Sequence, residues 1–118
     1  MAYDHDLADR IREALIDIPN VEEKEMFSGI VFMVNGKMCI NVSHDELMCR
    51  VDPAITDQLL EEYSGQTRQM MHSGKPMRGY LYVSEEGYRS KKQFDYWVKL
   101  CLDYNPIAKA SQKPKKKS

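Results

Sequence analysis

The chain has 118 residues, 42% hydrophobic and 30% charged, with 6 Gly and 5 Pro, a composition that excludes collagen-like, fibrous and mostly disordered classes. Its net charge of −1 conceals two unlike parts: residues 1–108 hold 12 Lys/Arg against 18 Asp/Glu, whereas residues 109–118 hold Lys109, Lys113, Lys115, Lys116 and Lys117 and no acid. No apolar run approaches the roughly 18–20 residues of a membrane span, and the opening MAYDHDLADR lacks the basic and apolar regions of a signal peptide, so the expectation is a cytoplasmic protein with no membrane role.

Asp4 or Asp6 caps a first helix whose Leu7, Ile11, Leu15 and Ile18 fall on one face, and Pro19-Asn20 stops it. From Glu22 to Val51 the pattern becomes short strands at about 22–27, 30–34, 37–42 and 47–51, separated by Ser28-Gly29, Asn35-Gly36 and residues 43–46, an antiparallel meander. Asp52-Pro53 reads as an N-cap with Pro at the first helical position, and Ile55, Leu59, Leu60 and Tyr63 supply that helix's apolar side. Two further strands, 68–72 and 77–84, flank Gly74-Lys75-Pro76. Ser90 and Gln93 form a capping-box pattern for a last helix that buries Phe94, Trp97, Val98 and Cys101 and ends at Asn105-Pro106. The expected domain spans 1–108, and the short Lys/Ser/Pro segment 109–118 is expected to be a disordered tail, since it cannot bury enough apolar surface to offset its ordering entropy.

Asn35-Gly36 favours a type I′ turn, pairing Val34 with Lys37, Met33 with Met38, Phe32 with Cys39 and Val31 with Ile40. A turn at 43–46 then pairs Val42 with Leu47 and Ile40 with Cys49. In that register Val31, Met33, Met38, Ile40, Val42, Leu47, Cys49 and Val51 share the face that helices cover. Ile30, Phe32, Val34, Lys37, Cys39, Asn41, Met48 and Arg50 share the other, with Tyr80 and Tyr82 added because Leu81 and Val83 are the better core residues. That half-apolar face makes Ile30, Phe32, Val34, Cys39, Met48, Arg50, Tyr80 and Tyr82 candidates for an interface.

No chemistry-bearing motif assembles. Ser43, His44 and Asp45 are consecutive and cannot converge as a nucleophile, base and orienting acid, so they read as a turn. The three cysteines show no CxxC spacing, and the three histidines show no zinc spacing. Gly74-Lys75 lacks the remainder of a phosphate loop. No catalytic, cofactor or metal residue is therefore assigned. Arg78-Gly79-Tyr80-Leu81-Tyr82-Val83 resembles the start of an RNA-recognition-motif strand, but Leu81 stands where a small residue belongs, Glu85 replaces the final aromatic, and the element order differs.

Met26-Phe27-Ser28-Gly29-Ile30-Val31-Phe32-Met33-Val34-Asn35-Gly36-Lys37-Met38, then Leu47-Met48-Cys49-Arg50-Val51, Gly74-Lys75-Pro76-Met77-Arg78-Gly79-Tyr80-Leu81-Tyr82-Val83, and Trp97 with Cys101 and Leu102, together resemble the N-terminal domain of the TfoX/Sxy competence regulators, with Ser28 in place of a second glycine. The resemblance runs from about Tyr3 to Tyr104. It implies a two-layer α+β fold with an antiparallel sheet of about five or six strands and helices packed on one face, similar to secretion-chaperone-like domains. It also implies a link to transcription of DNA-uptake genes together with the cyclic-AMP receptor protein, and it ends where the C-terminal helical domain of two-domain members would begin. Three functional readings follow. The first is a non-enzymatic interaction module, expected to be a homodimer, docking through the outer sheet face. The second is a nucleic-acid accessory protein using the lysine tail and Tyr80/Tyr82. The third is a small-molecule binder or enzyme at the Cys39/Arg50/Lys37 corner, where a guanidinium would lower a thiol pKa.

Overall fold

The computed structural model describes residues 3–26 and 29–108. The lysine-rich segment with Lys109, Lys113, Lys115, Lys116 and Lys117, and the Phe27-Ser28 pair of the family motif, lie outside the described residues. Helix α1 (His5–Ala14) leads into strands β1 (Val21–Met26), β2 (Gly29–Val34), β3 (Lys37–Ser43) and β4 (Glu46–Arg50). A 3-10 turn (Pro53–Ile55) and α2 (Thr56–Glu62) precede β5 (Thr67–His72) and β6 (Lys75–Val83), and α3 (Glu85–Tyr88) and α4 (Lys91–Tyr104) follow. The strands form one antiparallel sheet in the order β1-β2-β3-β4-β6-β5. This is an α+β fold.

The helix ends follow their sequence signals. Asp4 accepts from the Leu7 N–H at 3.1 Å, and Ser90 and Gln93 exchange both capping-box bonds, at 3.1 and 2.9 Å. Asp52 does cap a turn, accepting from the Ala54 N–H at 2.9 Å, but that turn is 3-10 and the α-helix starts only at Thr56. The one-turn α3 escapes sequence periodicity because it is held from outside: the Trp97 indole donates to the Gly87 carbonyl at 2.9 Å and the Tyr88 hydroxyl to the Asp45 carbonyl at 2.7 Å.

The core joins Leu7, Ile11 and Leu15 of α1, Leu59 of α2, Tyr88 of α3, and Phe94, Trp97, Val98 and Cys101 of α4 to the inner sheet face. That face carries Ile40, Val42, Leu47, Cys49, Val51, Leu81 and Val83, as expected, together with Ile30, Phe32, Val34 and Cys39, which were expected on the other side. The cause is one extra residue. Val34 pairs with Lys37 and Met33 with Met38 as the turn demands, but Phe32 then pairs with Ile40 rather than Cys39, leaving Cys39 as a β-bulge. A bulge of this kind sets two successive side chains on one side and reverses the alternation beyond it. Cys39 and Ile40 are accordingly both core residues, and β2 turns Ile30, Phe32 and Val34 inward, opposite to the expected parity. Val31 and Met38 line the outer-face cavity described below, and Met33, paired with Met38, shares its side.

Lys37 sits on the inner side at the sheet's end, paired with Val34. Its ammonium donates to the carbonyls of Asn105 and Pro106 at 3.1 and 3.3 Å, where the exposed carbonyls at the C-terminus of α4 favour a cation. Asn105, buried, donates to the Val34 carbonyl at 3.1 Å and accepts from the Asn35 side chain at 3.2 Å. The β2–β3 turn is thereby tied to the end of α4.

Candidate functional site

The outer face is built around a row that crosses the whole sheet: Lys24, Val31, Asn41, Met48, Tyr82 and Arg68 stand opposite one another on successive strands. Its middle is apolar but for Asn41, and its ends are Lys24 and Arg68, the latter ion-paired to Glu46 at 2.5 Å. One pleat away, Arg50 pairs with Tyr80. Among the described residues no helix packs on this side, yet Val31, Met33 and Met48 are buried. Val31 and Met48 lie in the wall of one cavity on this face.

Strand β6 is irregular beside this face. Gly79 has φ +91°, and its N–H leaves the ladder to meet the Thr56 hydroxyl at 2.9 Å while its carbonyl receives the Val51 N–H at 2.7 Å. An alanine there would strain the backbone and press on the Val51 carbonyl. The pairing of β5 with β6 is irregular between Gln69 and Met71. The Gln69 amide compensates by donating to the carbonyls of Met77, Tyr80 and Met70 at 2.7, 3.0 and 3.2 Å. The hairpin adds Met70 and Met77 to the wall of a cavity of about 300 Å³ also lined by Val31, Met38, Asn41, Met48, Tyr80 and Tyr82.

Of the residues expected at the surface, Met48, Arg50, Tyr80 and Tyr82 stand together here. Arg50 lies over the Tyr80 ring, 5.4 Å from its centroid, and Arg68 over Tyr82 at 4.2 Å, distances at which a guanidinium is attracted by the ring face. Ile30, Phe32, Val34 and Cys39 belong instead to the core beneath the helices. Val31, Met38, Met70 and Met77 were not anticipated as lining residues; the first two are hidden by the bulge and the last two by the irregular hairpin. Asn41 stands on the expected face, but its decisive property is not in the sequence. It is 3% exposed, and its Oδ1 has no hydrogen-bond partner.

The Cys39/Arg50 corner does not form as a reactive thiol. Cys39, Cys49 and Cys101 are all buried and free. Burial, then the neighbouring Cys101, pushes the Cys39 thiol well above the ordinary range, and Arg50 opposes this only weakly. Burial and the contact with Cys49 push Cys101 up as well. Since burial shields all three thiols, the native protein will react slowly with iodoacetamide at each position and completely once unfolded. Fast native labelling of Cys39, read by peptide mass, would revive the reactive-corner reading. Ser43 ends β3, paired with Gly29 and Glu46, and His44-Asp45 link it to β4, with His44 at φ +57° and exposed. Among the described residues no group of three His, Cys, Asp or Glu could hold a metal ion, and no helix is long and apolar enough to cross a membrane.

A two-layer α+β domain with one sheet face dry and the other forming an uncovered basin is the class these features define. Residues 13–104 match the TfoX N-terminal domain, and the chain belongs to that family. It is a competence-regulator-like domain. Comparison with curated proteins found no match.

Proposed function

We propose that this domain is a non-enzymatic interaction module that works through its outer sheet face and pairs there with a second copy of itself. The observation that carries the reading is the composition of the uncovered face. Five methionines, two tyrosines and two arginines gather on it, residue types enriched at protein–protein interfaces, while Lys24 stands at its edge and Glu46 is ion-paired to Arg68. Methionine side chains repack readily against a partner, and Tyr80 and Tyr82, half-buried, offer rigid contact area at small entropic cost. Membership of the competence-regulator family makes transcriptional control the fitting context and the cyclic-AMP receptor protein the fitting partner.

Size-exclusion chromatography with light scattering tests the pairing. The wild-type chain should elute as a dimer at micromolar concentration, and a Met77→Glu/Tyr80→Glu variant with an unchanged circular-dichroism spectrum should elute as a monomer. A wild-type monomer at every loading concentration, or a double variant that still pairs, removes the proposal. Nucleic-acid stacking on the tyrosines fits less well, because Arg68 already occupies a face of the Tyr82 ring.

A further inference from the structure

We propose that the outer-face cavity is a binding site for a small, neutral, planar aromatic molecule bearing an N–H or O–H group, enclosed by Met38, Met48, Met70 and Met77 and hydrogen-bonded to Asn41 Oδ1. The volume of about 300 Å³ lies at the lower end of the roughly 300–1,000 Å³ that small-molecule sites occupy, which suits one or two fused rings. None of the lining residues is charged, so an ion entering it would lose its hydration without a counter-charge. Thioethers make favourable contacts with aromatic ring edges, which selects a planar ring over an aliphatic chain.

Asn41 supplies the direction. It sits on β3, between Val31 on one neighbouring strand and Met48 on the other, so the strands beside it offer apolar side chains and no donor. A buried amide oxygen without a partner is costly to keep, and most buried polar atoms do find one. Asn41 stands at the lining of a mostly apolar cavity, with Ser43 two residues further along β3 as a second polar residue in its wall, and this is the arrangement by which small-molecule sites orient a ligand: a few placed polar groups within a greasy wall. The ligand must bring the donor.

The proposal rests on the outer face being the working surface, yet the two readings fail separately. Isotope-labelled full-length chain is titrated with indole and, in parallel, with benzofuran, which has the same shape but a ring oxygen in place of the N–H, followed by calorimetry and amide NMR. Indole should saturate one site per chain and shift the signals of Val31, Asn41, Met48 and Tyr82, and benzofuran should bind roughly tenfold to hundredfold more weakly. Asn41→Leu should abolish that preference while retaining binding. Equal affinity for the two compounds in the wild type, shifts away from the cavity, or absence of saturation overturns the proposal, and this comparison decides even if Asn41→Leu does not fold. Light scattering on the same samples separates the readings. Self-association without indole binding removes the ligand and leaves the pairing; indole binding by a strict monomer upholds the ligand and removes the pairing.

Discussion

Phe32→Ala will cost about 3–5 kcal/mol of folding stability, the range for truncating a fully buried aromatic, whereas Tyr80→Ala will cost about 1 kcal/mol or less, as expected away from the core. Two residues of the same apolar sheet thus report its two sides. Phe32 is 0% exposed and among the largest fully buried side chains of the domain. It pairs with Ile40 across the bulge, lies in the cluster that α1 and α4 close from above, and has the Arg12 guanidinium 6.0 Å from its ring centroid. Removing the ring leaves a cavity within that cluster that the surrounding side chains fill only in part, so a cavity penalty adds to the lost burial. Tyr80 faces the basin, half-buried, with Arg50 as its neighbour. Urea titration of both variants, with the slope checked for constancy, measures the difference. If the two losses are equal, or Tyr80→Ala is the worse, the bulge at Cys39 is not where it has been placed.

The same bulge separates what can be read in the amino-acid order from what cannot. Where a strand is apolar on one side only, alternation locates the core: Ile40 and Val42 against Asn41, Leu47 and Cys49 against Met48 and Arg50, and Leu81 and Val83 against Tyr80 and Tyr82 all lie as their pattern demands. Strand β2 has no such contrast. Every residue of Gly29–Val34 is buried: Ile30, Phe32 and Val34 in the core under the helices, and Val31 in the wall of the outer cavity. Its parity therefore has to be inherited through the Asn35-Gly36 turn, and a single inserted residue reverses it. Lys37 reinforces the wrong choice. A lysine reads as an outward residue, but here its ammonium reaches past the core's edge to the carbonyls at the end of α4. The site was half legible for the same reason. Met48, Arg50, Tyr80 and Tyr82 follow from alternation alone, whereas Met70 and Met77 depend on the irregular pairing of β5 with β6, and the missing partner of Asn41 depends on what its neighbours turn out to be.

Gly29→Ala will be at least as damaging, costing about 3 kcal/mol, the upper end of overpacking penalties, or more. Gly36→Ala should cost about 1–2 kcal/mol, the strain of a left-handed residue with no clash. The contrast isolates steric contact from backbone conformation. Gly36 has φ +78° and open space where a Cβ would go. Gly29 needs no unusual dihedral, but a Cβ there would stand 1.9 Å from the Val42 carbonyl oxygen, 3.0 Å from its carbon and 3.2 Å from Ser43 Cα. All three are backbone atoms of the paired strand, so no side chain can rotate aside; β2 itself must separate from β3. That strand carries Ile30, Phe32 and Val34 into the core and Val31 into the wall of the outer cavity, so one methyl group disturbs both faces together. Thermal and urea unfolding of the two alanine variants gives the comparison, and calorimetry with indole should show the Gly29 variant losing binding in parallel with stability. Were Gly29→Ala the milder of the two, β2 and β3 could not approach as closely as described. The glycine at the end of the Met26-Phe27-Ser28-Gly29 motif would then need an explanation other than the contact of two backbones.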